Sequence, residues 1–407
     1  MKKNVCLLLL TLLVTTLFAQ EFTLSGEVKT GLLWNKTDRE FKEAGYINRE
    51  ENTFIQSKDY AGNYQGRFRL NMKYSIKNLG IKLRFNWDDW SGDALPALPY
   101  AFGYGNFFDD QLTISIGKLG ASSWGTGGPE MLQEVENYSK GGLRVEYKPS
   151  FVPGLNVGVI INGFDGPISS TWQDALGNTK PVTFFHALQE TALGAAYTHE
   201  YFHVNAAYRF DSEVDNRFNG NLPGKDGGDL VYRAEERVLR NILPGSQVWA
   251  QGSFTGLGAD TDNKENFNYK NWLYLQYEPD LFTAQIRIGY DSTYAYASKA
   301  GEPDKIRSDK GILHIRPSFY LNLFDKKLVV GGSFWYGKDF GEGNISQGSP
   351  FLFMEIEPKI QYNISPNVYF ALVYNYRKGY IDDFVHSYTD KPIAQNHWVN
   401  LRFGVFF

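Results

Sequence analysis

Cysteine is almost missing from this chain, and the one present, Cys6, lies in a segment that reads as a cleavable export signal. Lys2 and Lys3 give that segment its positive end, Val5 to Phe18 is almost wholly apolar, and Ala19 is a small residue suited to cleavage, with the larger Leu17 shortly before it. Cys6 comes too early in the run to serve for lipid attachment at the cleavage point. Cleavage after Ala19 leaves residues 20–407 without cysteine, which excludes disulfides, a thiolate nucleophile and a cysteine metal site. Long apolar runs are missing too. Beyond the signal no charge-free stretch is long enough to cross a bilayer as a helix. A strong charge of one sign is absent: the chain is mildly acidic at −4, and more so once Lys2 and Lys3 are lost, which argues against a nucleic-acid partner. The histidines, His186, His199, His203, His314, His386 and His397, are scattered, and neither a HExxH zinc motif nor a GxSxG nucleophile elbow occurs. Asp260, Asp262, Asn263 and Glu265 lack the full ligand spacing of a calcium loop and read as a solvated loop. No catalytic residue, metal site or cofactor is therefore expected.

Aromatic residues, by contrast, are abundant, with 30 Phe, 26 Tyr and 9 Trp beside 41 Gly. An exported, aromatic-rich, cysteine-free chain without spanning helices fits a closed β-barrel, the other structure that satisfies its backbone in lipid. Strict alternation supports this. Phe22, Leu24, Val28, Leu32 and Trp34 fall on one face of their segment, and Thr23, Ser25, Glu27 and Lys29 on the other. Phe68, Leu70, Met72, Tyr74 and Ile76 alternate with Arg67, Arg69, Asn71, Lys73 and Ser75; after a short turn, Ile81, Leu83, Phe85 and Trp87 alternate with Lys82, Arg84, Asn86 and Asp88. The pattern recurs to the C-terminus, as in Phe282 to Tyr290 against Thr283 to Asp291, and Leu352 to Ile360 against Glu355 to Gln361. Large aromatics near strand ends suit a lipid interface.

The connections sort by length. Short links (Asp109-Asp110, Pro149 to Gly154, His199-Glu200, Glu278 to Asp280, Asn322 to Lys326, Ser365 to Asn367) alternate with long polar loops near 35–62, 119–141, 164–188, 212–229, 255–268, 292–311, 337–350 and 377–396. Short turns at one rim and long loops at the other is the transmembrane-barrel arrangement. The expected fold is all-β: a transmembrane antiparallel β-barrel of about 18 strands, with 16 as the alternative, short periplasmic turns and long extracellular loops. The alternatives differ over Leu230–Leu239 and Gln247–Thr255. The first of these also suits a helix at Glu235, Glu236 and Arg237, and the link Ile242 to Gly245 matches the turn Val152-Pro153-Gly154. Residues 20–407 are expected to form a single domain.

The final segment, His397 to Phe407, places Val399, Leu401, Phe403, Val405 and the terminal Phe407 on one face. It resembles the C-terminal assembly signal of Gram-negative outer-membrane barrels, and the layout from signal to terminal Phe resembles that of bacterial porins. The resemblance covers nearly the whole chain but is architectural, and it fixes neither subfamily nor substrate. It implies residence in outer-membrane lipid, passive passage of small hydrophilic solutes and ions, and the homotrimer common among porins. In general porins the loop after the fifth strand folds inward. Here the loop at 119–141, with Glu130, Glu134 and Glu136, holds that position without the family's acidic motif; an ordinary surface loop is the competing reading.

Polar residues facing the inside of so wide a barrel line water. Arg67, Arg69, Lys73, Lys82 and Arg84 then form a basic strip on adjacent strands. A turn centred on Asn78-Leu79 would set Lys73 opposite Arg84 and Asn71 opposite Asn86. With Glu130, Glu134 and Glu136 across the lumen, the strip would create a transverse field that selects ions. The bland alternative is pairing with nearby carboxylates such as Asp88. Trp249, Trp272, Tyr274, Trp335 and Tyr369 share the inward parity, a pattern that also suits stacking on sugar rings. A surface adhesin barrel, a lipase-like barrel enzyme with a rim Ser–His pair, and a soluble β-sandwich remain open alternatives.

Overall fold

A computed structural model describes residues 20–41, 46–57, 66–87, 96–119, 141–162, 171–173, 179–181, 191–209, 228–257, 268–291, 311–339, 352–379 and 393–407. The first third of the chain contributes β1 (Gln20–Phe41), β2 (Tyr46–Ser57), β3 (Gly66–Ile76), β4 (Leu79–Trp87), β5 (Ala97–Phe107), β6 (Leu112–Lys118), β7 (Gly141–Tyr147) and β8 (Leu155–Asn162). A small hairpin, β9 (Thr171–Gln173) with β10 (Thr179–Pro181), stands apart. Then come β11 (Ala192–Thr198), β12 (Phe202–Arg209), β13 (Gly228–Glu236), a short helix α1 (Val238–Ile242), β14 (Ser246–Leu257), β15 (Asn268–Tyr277) and β16 (Phe282–Asp291). β17 (Ile312–Leu323), β18 (Leu328–Asp339), β19 (Phe353–Ser365), β20 (Val368–Gly379) and β21 (Ile393–Phe406) complete the chain.

Eighteen of these strands form a closed antiparallel wall, each hydrogen-bonded to its neighbours in chain order. Closure comes from β1, which pairs with β3 from Gln20↔Ile76 to Thr30↔Gly66 and with β21 from Glu27↔Phe406 to Glu40↔Ile393. Reciprocal backbone hydrogen bonds between Gly26 and Phe407, at 2.7 and 3.0 Å, fix the start of that seam. The eighteen-stranded wall thus closes on itself, which is what lets it satisfy its backbone in hydrocarbon. The expected loop at 35–62 is corrected: β1 continues to Phe41, and β2 pairs back onto it from Leu32↔Ser57 to Phe41↔Tyr46, continuing the wall beyond the start of β3. Apolar–polar alternation in the sequence ends at Trp34, because charged residues then occupy both parities.

Lipid-side apolar residues stand exposed around the barrel, among them Leu24, Ile81, Ile116, Leu193, Ile360, Leu372 and Leu401. Their immediate neighbours in sequence face inward. Two prolines, Pro317 and Pro358, sit within β17 and β19 on the lipid side, and the β17–β18 ladder is interrupted at 316–317. Proline has no N–H to give such a ladder.

Every short described turn lies at the rim that holds Gln20 and Phe407. Two of them share one shape. Phe108, Asp109 and Asp110, and again Phe324, Asp325 and Lys326, take three successive left-handed conformations, and each turn closes with a 3.1 Å backbone hydrogen bond. The Val152-to-Gly154 and Leu243-to-Gly245 turns are also equivalent, as their sequences suggested. Gly154 and Gly245 have φ of +87° and +90°, and their carbonyls accept from Thr198 and Glu278, each at 2.9 Å. The ambiguous segment before the second turn is strand as far as Glu236. Its helical character is confined to the single turn of α1, where the Glu236 carboxylate accepts from the Leu239 N–H at 2.7 Å. That resolves the count in favour of 18 over 16.

Candidate functional site: the lumen wall

The five residues of the basic strip all face the lumen, by register with one another and with inward residues of β1 and β5. Their cross-strand partners differ from expectation by two residues. The turn is Lys77-Asn78, with Lys77 at φ +51°, so Lys73 pairs with Lys82 and Asn71 with Arg84. The reason lies at Gly80. This glycine is not the turn's left-handed residue; it makes room for the Tyr104 ring, which a Cβ would meet at 2.5 Å.

The strip divides into neutralised and uncompensated parts. Glu27 on β1 serves Lys29 at 2.7 Å, Arg69 at 3.4 Å and Arg67 at 4.0 Å. Lys73 meets Glu21 at 3.0 Å. Arg84 donates from Nε to the Asn71 carbonyl at 2.6 Å and lies over the Tyr100 ring. Lys82 lies over Tyr104 with no ion pair among the described residues. Lys73, Lys82, Arg144, Lys148, Glu146 and Ser115 border a recess of about 460 Å³. Thus two carboxylates of β1, Glu21 and Glu27, compensate three of the five residues of the strip. Asp88, Glu130, Glu134 and Glu136 lie outside the described residues, as does the Asp260–Glu265 segment.

A second arc, from β13 to β21, was only half seen in the sequence. Trp249, Trp272, Tyr274, Trp335 and Tyr369 do face inward, but arginines cover Trp249, Tyr274 and Trp335, while Trp272 stacks on His314 and Tyr369 on Phe406. Arg233 stacks on Trp249, Arg287 on Tyr274, Arg316 on Trp335 and Arg377 on Phe353, with cation-to-ring distances of 4.8, 5.5, 5.0 and 4.8 Å. Trp249 and Tyr274 stack on each other at 4.4 Å, and Trp272 on His314 at 5.2 Å. These rings are spent holding cations and one another, so the arc presents guanidinium groups rather than open aromatic faces. The signal that could have revealed it is the alternation of Arg and aromatic residues at matched inward positions of neighbouring strands.

Across this arc the described inward side chains include Arg233, Lys270, Arg287, Arg316, Lys359, Arg377 and Arg402, against the carboxylates Asp229, Glu235, Glu355 and Glu357, of which Asp229 pairs with Arg209 of β12. Cations therefore outnumber carboxylates in the described wall although the whole chain is acidic. The wall is not polar all round: Phe102, Ile160, Ala192, Ala207 and Val231 pack as a buried apolar patch between β5 and β13. Of the histidines, His203 meets the Thr198 hydroxyl at 2.8 Å, His397 the Tyr374 hydroxyl at 2.8 Å, and His314 the Trp335 indole at 3.3 Å. His186 and His386 lie outside the described residues. Among the described residues no cluster of three potential metal ligands occurs.

A closed barrel with an apolar exterior, a charged interior and its described short turns gathered at one rim has the build of a transmembrane β-barrel. Solved structures similar to it include a triple mutant of the Rhodopseudomonas blastica porin, 13% identical, covering 94% of this chain and 100% of that one at a TM-score of 0.41. The outer membrane channel DcaP of Acinetobacter baumannii is 11% identical over 96% of this chain and 98% of its own, at a TM-score of 0.48. A loop-deleted form of OmpT, an outer membrane protein of Vibrio cholerae, is 11% identical over 95% and 99%, at 0.39. No protein-family model matches the chain, and no curated protein sequence matches it.

Proposed function

We propose that this barrel is a diffusion porin whose lumen passes small hydrophilic solutes and ions down their gradients and favours anions. The observation that carries the reading is the excess of arginine and lysine over carboxylate on the described wall. Charge lining a pore sets which ions dwell in it, because the low-dielectric surroundings let wall charges act across the water. Passage needs no catalytic step and no cofactor. The uncompensated Lys82 and Arg84, with Arg67, Arg69 and Lys73 tempered by Glu27 and Glu21, form one side of the field. If Glu130, Glu134 and Glu136 enter the lumen, they form the opposing side. The proposal extends to a homotrimer, which the mass of the detergent-extracted complex would reveal.

The test is swelling of vesicles that hold the refolded chain. Arabinose outside the vesicles should enter and swell them rapidly, while a large oligosaccharide should not. Vesicles containing heat-modifiable, folded barrel that stay inert to arabinose would contradict passive diffusion.

A further inference from the structure

The recess beside the basic strip lies in the half of the lumen nearest the short turns: Asp110 belongs to the β5–β6 turn, and Lys148 directly follows β7. Its 460 Å³ or so is room for one small solute, since pockets of about 300–1,000 Å³ hold small ligands. The lining carries both signs of charge. Lys73, Lys82, Arg144 and Lys148 are positive, and Asp110 and Glu146 negative. Several of these groups already act on one another. Glu21, beyond the lining, reaches Lys73 at 3.0 Å; Glu146 lies 3.3 Å from Arg144 and also attracts Lys82. Four cations thus face three carboxylates, a surplus of one. Lys82 and Lys148 are exposed, and among the described residues neither forms an ion pair. Ser115 lines the same recess at 1% exposure, and its hydroxyl has no hydrogen-bond partner among the described residues. A buried hydroxyl left unpaired is costly, and a solute in the recess would pair it. Asn106 accepts from Thr113 at 3.0 Å and keeps its amide nitrogen for a further contact.

We propose that this recess is a binding site for a hydroxylated monocarboxylate of sugar-acid size, one of the solutes that the lumen passes. The proposal deepens the porin reading and rests on it. Lys82 and Lys148 take the carboxylate through charge-assisted hydrogen bonds. Asp110 and Glu146 can only accept, so they take O–H donors of the solute, and the Ser115 hydroxyl donates or accepts as the solute requires. The site needs no cation stripped of its partners, because the carboxylates are part of it. A simple anion would use the cations alone and meet the carboxylates as repulsion. A neutral sugar would leave the surplus positive charge unmatched. Only a solute that carries both kinds of group uses the whole lining.

The experiment is calorimetric titration of the detergent-folded full chain with glucuronate, and separately with glucose, which lacks the carboxylate, and acetate, which lacks the hydroxyls. Planar-bilayer recordings of the same proteins accompany it. Glucuronate should bind saturably, and each comparison probe about tenfold or more weakly than that. Lys148→Gln, at an exposed position, should fold as the parent does and weaken glucuronate binding about tenfold. Ser115→Ala gives up no hydrogen bond among the described residues and should fold at least as well as the parent. It should weaken glucuronate binding about threefold. Absence of saturable glucuronate binding, acetate or glucose bound as tightly as glucuronate, or parental affinity in both variants overturns the site. A folded barrel that binds glucuronate but does not conduct would sink the porin reading and leave the site standing.

Discussion

Ile360 and Gln361 are consecutive residues of β19 that face opposite media, and arginine placed at each should have very different costs. Ile360 is 50% exposed on the outer surface. Gln361 faces the lumen, where it accepts from Lys359 at 3.3 Å and donates to Asn363 at 2.8 Å. The strand ends at Ser365, five residues past Ile360. At about 3.4 Å per residue and a tilt of about 40°, Ile360 lies about 13 Å above that end, near the middle of an apolar band about 25 Å tall. Arginine at mid-band on the lipid face costs about 2–4 kcal/mol. Gln361→Arg loses two hydrogen bonds of a solvated wall and should cost about 1 kcal/mol or less. Denaturant titration of barrels folded into vesicles, followed by the heat-modifiable gel shift, reads both. Equal costs, or a larger cost at Gln361, would mean that the two faces have been assigned the wrong way round.

Gly154→Ala and Gly245→Ala should each destabilise the barrel by about 1–3 kcal/mol in the same titration, because both positions have positive φ. The added Cβ would also stand 2.1 Å from the Thr198 carbonyl oxygen and 2.3 Å from that of Glu278. Gly103→Ala, whose Cβ would meet nothing closer than 3.8 Å, should be near neutral. Glu27→Gln removes the carboxylate shared by Lys29, Arg67 and Arg69, so the reversal potential should move further toward anions while stability falls by about 1–3 kcal/mol. Deleting Phe407 removes both backbone hydrogen bonds to Gly26 and should slow refolding into vesicles, read by the gel shift.

Much of this fold was legible in the sequence because a barrel writes itself into parity. Once Phe68 and Leu70 are known to be outside, Arg67 and Arg69 must be inside, whatever the register. The sorting of short and long connections added the direction of each strand, and the paired Pro-Gly turns at 153–154 and 244–245 supported the larger strand count. Register was less legible. Shifting the β3–β4 hairpin by two residues preserves every face, so periodicity could not decide whether Lys73 opposed Arg84 or Lys82. The deciding contact, Tyr104 against Gly80, comes from a third strand. The extension of β1 to Phe41 was hidden because its polar residues break the alternation, and β2 holds it by backbone pairing. The arginine arc was half visible. Parity turned the tryptophans inward, but only cross-strand neighbours show that arginines cover Trp249 and Trp335.

The most direct test of an anion-favouring channel is the single-channel current of the refolded chain in a planar bilayer under a gradient of potassium chloride. Stepwise, long-lived openings with a reversal potential displaced toward that of chloride are expected, because the described wall carries more arginine and lysine than carboxylate. No openings from a verified folded barrel would contradict the channel, and a reversal potential displaced toward potassium would contradict the dominance of the basic wall.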